Sequence, residues 1–276
     1  MKIAHVVTGT LLLLAANAAF AESTLRIGIQ DDPDVLDPHR SRTYSGRLVY
    51  TALCDKLVDV NPDLTYSPQL ATAWNWSEDG KTLTMTLREG VTYHDGEPFD
   101  AASVKFNLDR ARTLPDSLRK SELASVDSVE VIDAKTVAIK LKQADATLVS
   151  QLSDRAGMML APKAAQGEFA SNPVCSGPYK FVQRVQQDRI VLERFDNYWN
   201  KQAYHFDKVV FLPIPDTSVR LANLRSGDLD IIERVAPTDV KTVKSDSKLA
   251  IYNTPGLGYM QLMFNIGNGE KANSPM

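Results

Sequence analysis

The sequence is poor in the residues that build reactive or metal-holding sites. Only two cysteines occur in 276 residues, Cys54 and Cys175. Past the N-terminal leader-like stretch the histidines are His39, His94 and His205, which are far apart and belong to no ligand-spaced cluster; metal sites need several ligands at once. The patterns G-x-x-x-x-G-K-[ST], G-x-S-x-G and H-E-x-x-H are all absent. Their absence removes the phosphate-cradling loop, the hydrolase nucleophile elbow and the zinc-protease helix. Basic charge is not in excess, with 31 Lys and Arg against 34 Asp and Glu and a net charge of −3, so the electrostatic footprint of a nucleic-acid binder is missing. No catalytic residue, metal or cofactor is expected. Repeats and low-complexity segments are also absent.

One apolar run stands out. Lys2 precedes Val6 to Ala16, and Ala19-Phe20-Ala21 offers a small-x-small cleavage site before Glu22. That is the layout of a secretory signal peptide over residues 1–21, and the run is short for a membrane span. No cysteine follows the site, which argues against a lipid anchor. An exported protein beginning near Glu22 is expected, and in an oxidising compartment two cysteines make one disulfide the first hypothesis. Cys175, in NPVCSGPYKF, is by its residues alone a nucleophile, a metal ligand, half of a disulfide or a small apolar filler; a catalytic thiolate needs a histidine partner that the sequence does not place.

Hydrophobic periodicity supplies the elements. Leu25, Ile27 and Ile29 alternate in TLRIGIQ and predict a half-buried strand. It runs into DDPDVLDPHR, whose prolines and aspartates predict a loop at a strand end, a common place for ligand contacts in open α/β sheets. A helix is predicted over Tyr44 to Leu57 and a hairpin over Trp74 to Arg88, turning at Asp79-Gly80. Asp100 caps a predicted helix through Arg112. A second hairpin turns at Asp133-Ala134-Lys135, and a short helix covers Ala146 to Leu152. Strands are predicted over Tyr179 to Val185, Arg189 to Arg194 and Lys208 to Leu212. A helix from Asp216 to Ser226, stopped by Gly227, leads to a strand at Asp230, and this β-α-β order favours parallel pairing. GLGYMQLMFN near the end reads as a buried strand.

Several residues carry two readings. His94-Asp95 is half of a metal site or, more simply, a turn made by Asp95-Gly96. Asp228 and Asp230 are paired acid/base carboxylates or a helix-stop turn. Asn75-Trp76-Ser77 is a glycosylation sequon or a chance match in a strand. Trp74, Trp76, Tyr93, Tyr198 and Trp199 stack on a ligand or fill the core, and core is the commoner fate.

The run PQLATAWNWSEDGKTLTMTLREGVTYHDGEPFDAASVKFNLDRA, followed by CSGPYKFVQRVQQDRIVLERFDNYWN and FDKVVFLPIPDTSVRLANLRSGDLDI, resembles extracellular solute-binding protein family 5, the dipeptide-, oligopeptide- and nickel-type receptors of ABC importers. The resemblance implies an α/β, periplasmic-binding-protein type II-like two-lobe fold with an inserted α+β subdomain. Lobe I would hold residues 22–47 and 173–262, the insertion residues 48–172, and a truncated second lobe would begin at 263–276, because family members are much longer. It implies a periplasmic, monomeric, non-enzymatic receptor that captures a peptide or peptide-like solute and hands it to a membrane permease served by a separate ATPase. The alternatives are a receptor for a nickel chelate, sugar or opine, or a secreted hydrolase on a similar scaffold. Implied solute contacts are Asp31, Asp32, Pro33, Asp34 and Leu36 after the first strand, and Tyr259, Met260 and Gln261 near the hinge. The two cysteines lie near the points where the chain leaves and re-enters lobe I, so a Cys54–Cys175 disulfide at the base of the insertion is expected.

Overall fold

The computed structural model describes residues 22–253. The leader-like residues 1–21, the apolar segment with Tyr259, Met260 and Gln261, and the expected start of a second lobe at 263–276 lie outside the described residues.

The elements in chain order are β1 (Thr24–Ile29), α1 (Tyr44–Leu53), β2 (Val58–Val60), β3 (Tyr66–Pro68), β4 (Ala71–Trp76), β5 (Thr82–Leu87), α2 (Ala101–Thr113), β6 (Val126–Asp133), β7 (Thr136–Leu141), α3 (Leu148–Leu152), β8 (Tyr179–Val185), β9 (Arg189–Arg194), β10 (Lys208–Pro213), α4 (Thr217–Ser226), β11 (Ile231–Ile232) and α5 (Val240–Ser245). They form a five-stranded sheet in the order β11-β1-β10-β9-β8 and a four-stranded antiparallel sheet in the order β4-β5-β7-β6, with β2 and β3 as a separate hairpin. β1 is parallel to both β10 and β11. The expected parallel β-α-β unit is therefore present, but its two strands straddle β1 and do not pair with each other.

Each sheet has its own core. The five-stranded sheet packs Ile29, Ile190, Leu192, Val209 and Phe211 against Val49, Tyr50 and Leu53 of α1. The four-stranded sheet packs Leu83, Met85, Val137 and Ile139 against Val104, Leu108 and Ala111 of α2. α1 belongs to the first core along its length, and the second core begins at Leu57. Local signals set the ends of these elements. Gly80 turns the β4–β5 hairpin with φ 67°, Asp100 and Ser103 cap α2 reciprocally, and Asp216 caps α4, which stops at Gly227 with φ 86°. α1 ends at Leu53, short of the Leu57 expected from periodicity, because Cys54 turns extended (φ −127°, ψ 117°).

The reason for that turn is the junction between the two units. Cys54 and Cys175 are disulfide-bonded, with Cα atoms 4.8 Å apart and a sequence separation of 121. Beside the bridge the Gly177 N–H donates to the Leu53 carbonyl at 2.8 Å. A Cβ on Gly177 would meet the Leu53 carbonyl carbon at 2.5 Å and the Cys54 nitrogen at 2.8 Å, so only glycine permits this approach. His94 closes the junction from the other side. Its backbone N–H donates to the Cys175 carbonyl at 2.8 Å. Its Nδ1 accepts from the Cys175 N–H at 3.3 Å, which leaves Nε2–H to donate to the Gly177 carbonyl at 3.0 Å. Both ring nitrogens are thus committed to backbone. Asp95 accepts from the Glu97 N–H and Gly96 adopts φ 87°, completing the turn.

Two consequences are measurable. Closing a loop of 121 residues stabilises by about 4–5 kcal/mol in a chain-entropy account, an upper figure. Reducing the bridge, or replacing both cysteines by serine, is expected to lower the urea midpoint substantially; an unchanged midpoint would show that the bridge contributes nothing. The second consequence concerns pH. Burial holds the His94 imidazole down to about 4, against 6.5 for a free histidine. The unfolded chain therefore binds that proton more tightly. Stability supplied by neutral His94 is complete above pH 6.5 and is lost as pH falls toward 4, on the order of 3 kcal/mol for a shift of this size. The stability gap between wild type and His94→Gln is expected to be wide at pH 7 and to narrow by pH 4; a constant gap would refute it.

Candidate functional site

Three connections leave the carboxyl ends of the parallel strands: residues 30–43 after β1, 214–216 after β10 and 233–239 after β11. The chain passes from β10 on one side of β1, through α4, to β11 on the other side. The connections diverge there, beyond the end of β1, which is where the general rule for open α/β sheets places a ligand crevice. The groove of about 560 Å³ between α1 and the sheet, lined by Leu25, Ile27, Leu48, Val209, Phe211 and Ile231 among others, is apolar and offers few groups to orient a polar solute.

The loop after β1 brings Asp31, Asp32, Pro33, Asp34 and Leu36 together, in different roles. Asp32 is nearly buried and pairs with Arg184 at 2.9 Å, while also accepting from the Gln187 N–H at 3.0 Å. Arg184 donates to the Pro33 carbonyl as well. Asp34 accepts from the Ser41 hydroxyl at 2.7 Å, the Arg42 N–H at 2.9 Å and the Thr43 hydroxyl at 3.3 Å. Partial burial opposes its ionisation, but these hydrogen bonds outweigh it and hold the carboxyl below its usual range. Leu36 is 1% exposed and sits in the core against α1. Asp31 is partly exposed, less so than Asp34, and is the aspartate of this stretch whose carboxylate is not engaged by the hydrogen bonds and ion pairs that hold Asp32 and Asp34.

The loop continues into a buried polar seam that ties it to the four-stranded unit. Asp37 takes the Arg110 guanidinium at 2.7 Å, and Arg110 also donates to His39 Nδ1 at 2.9 Å. Burial, aided by Arg110 and Arg119 and opposed by Asp37, depresses His39 to about 3. The Ser41 carbonyl accepts from Arg119 at 3.2 Å and Arg155 at 3.0 Å.

Sequence reasoning missed the groups on the β11 side. Glu233 accepts from the Gln30 N–H at 3.1 Å, and Arg234 donates to the Gln30 side-chain oxygen at 3.1 Å. The Arg234 guanidinium lies 5.5 Å from the Tyr44 ring centre, and Tyr44 is 49% exposed. Arg234 follows β11 as Asp31 follows β1. The strand-end argument used for β1 would have found it, had the parallel pairing of β11 with β1 been known.

The acidic pair and three of the aromatics resolve as structure, whereas Trp76, expected in the core, is 37% exposed. Asp230 pairs with Arg26 at 2.9 Å and Asp228 accepts from Ser226 at 2.7 Å. Tyr93 is core. Tyr198 and Trp199 donate to Asp55 at 3.0 and 2.7 Å, and burial raises that carboxyl to about 7 against those bonds.

With this geometry in hand, comparison with known proteins is decisive. The family described as bacterial extracellular solute-binding proteins, family 5 (Middle), matches residues 65–275. The chain belongs to this family. Family 5 proteins bind solutes and are not enzymes. Among curated relatives, the glutathione-binding protein GsiB of Pectobacterium atrosepticum is 29% identical over 265 residues, covering 95% of this chain and 52% of that protein. GsiB of Salmonella typhimurium is 27% identical, covering 92% and 50%. Among solved structures, AgaA from A.tumefacien R10 in complex with agropinic acid is 30% identical with a TM-score of 0.76, covering 81% of this chain and 46% of AgaA. DppA from Helicobacter pylori in complex with a peptide shares the fold at a TM-score of 0.74 and 24% identity, covering 82% and 50%. The chain spans about half the length of the curated relatives it matches.

The Asp32–Arg184 pair gives this family 5 loop a testable anchor. Both side chains are largely buried, so Arg184→Ala is expected to cost about 3 kcal/mol by leaving Asp32 unpaired, and Asp32→Asn in the same background should recover part of it. A double-mutant cycle showing no coupling would remove the anchor.

Proposed function

We propose that this protein is the periplasmic solute-binding component of an ABC importer, capturing a peptide or peptide-like solute between two lobes and delivering it to a membrane permease driven by a separate ATPase. The five-stranded unit serves as lobe I and the four-stranded unit as its insertion, with the solute held at the crevice beyond β1. The observation that carries this reading is the match of 95% of this chain to a glutathione-binding relative. Asp31, the loop carboxylate not engaged in holding the loop, offers a contact for the solute's ammonium group. A second reading, a receptor for an opine, is favoured by the 30% identity with AgaA bound to agropinic acid.

Mass spectrometry of solute co-purifying with the receptor, followed by calorimetry with glutathione, dipeptides and agropinic acid, tests the proposal. Tight binding of glutathione or a dipeptide without turnover is expected, and Asp31→Asn should weaken it about tenfold, the scale of one charge-assisted hydrogen bond. Cleavage of the bound peptide would overturn the receptor reading, and selective binding of agropinic acid would favour the opine.

A further inference from the structure

We propose that Arg234, backed by the buried Arg220, receives a carboxylate of the solute at the β11 side of the crevice. This assignment rests on the receptor reading above and names the chemistry of the second end of the solute.

Arg234 is held in place and yet open. Its backbone adopts φ 57°, one of the few left-handed non-glycine residues among those described, a conformation that carries strain and persists where the surroundings enforce it. The Gln30 side chain at 3.1 Å, the Glu233 carboxylate at 3.4 Å and the Tyr44 ring at 5.5 Å fix the guanidinium. Its side chain is nevertheless 60% exposed. A positioned guanidinium with a free edge matches a carboxylate in a two-pronged geometry that lysine cannot reproduce. The neighbouring Arg47, 5.8 Å from the same ring, is already paired with Asp154 at 2.6 Å.

Arg220 supplies the second, independent observation. It is 0% exposed. One of its nitrogens donates to the carbonyls of Ile214 and Pro215, just past β10, while Nε and Nη2 have no partner. Among the described residues no carboxylate pairs with it. Its Cδ lies 3.5 Å from where a Cβ on Gly28 would stand. A full positive charge therefore sits beneath the carboxyl ends of β1 and β10, where the low dielectric strengthens its pull on an anion. Of the acidic groups on these connections, Asp32 is engaged by Arg184 and Glu233 by Gln30 and Arg234. Asp31 remains, so the crevice presents both signs, as a solute with an ammonium and a carboxylate requires.

The test uses the full-length protein, with glutathione and glutathione diethyl ester as probes. Arg234→Gln is expected to weaken glutathione binding about 10- to 100-fold and to leave the weaker ester binding unchanged. Arg234→Lys should fall between the two, and thermal melting should show both variants folded. Wild-type affinity for glutathione in Arg234→Gln, or equal losses for acid and ester, would overturn the assignment while leaving the receptor reading intact. Failure of the wild type to bind glutathione or any dipeptide would overturn the peptide-receptor reading, and this assignment with it.

Discussion

The chain leaves the five-stranded sheet at Leu53 and Cys54 and returns to it at Cys175 and Gly177, and the rest of the architecture hangs on the contact between those two points. The disulfide joins them covalently, the Gly177 N–H and Leu53 carbonyl join them by backbone, and both nitrogens of His94 hold the returning strand in place. Two neighbouring bridges, Lys56 with Met158 and Leu160 with Cys175, extend the seam into the four-stranded unit. Without this closure α1 would have no reason to stop at Leu53, and Leu57 would not begin a second core.

The same logic of spending polar groups on the fold governs the crevice. Its loop is acidic in sequence, but most of that charge holds the loop in shape. Asp32 clamps it to the β8–β9 hairpin through Arg184 and Gln187. Asp34 organises the entry to α1, and Asp37 reaches the inserted unit through Arg110. A loop bolted on three sides presents its remaining groups, Asp31 and the backbone, in a fixed arrangement. Such preorganisation lowers the entropy lost when a solute is ordered against it.

Much of this was legible in the sequence because it is local. The strand at Leu25, Ile27 and Ile29, the Asp79-Gly80 turn, the Asp100 and Asp216 caps and the Gly227 stop each depend on neighbours a few residues away, and the structure has each of them, although burial along β1 does not alternate. The length of α1 was not legible, because Cys54 is turned by a partner far along the chain. Nor was the division of labour among Asp31, Asp32 and Asp34, since Arg184 decides it from another hairpin. Arg220 and Arg234 went unseen because a single arginine carries no motif. Their meaning comes only from where β10 and β11 lie beside β1.

The closed gate at Cys54 and Cys175 also makes residues 54–175 a cassette. Entrance and exit are adjacent, so the sheet beneath registers only that the chain went out and came back, not how far it travelled. The cassette can lengthen, shorten or change its surface while β1, β10 and β11 keep their register. Such variation would leave the strand ends that carry Asp31 and Arg234 undisturbed.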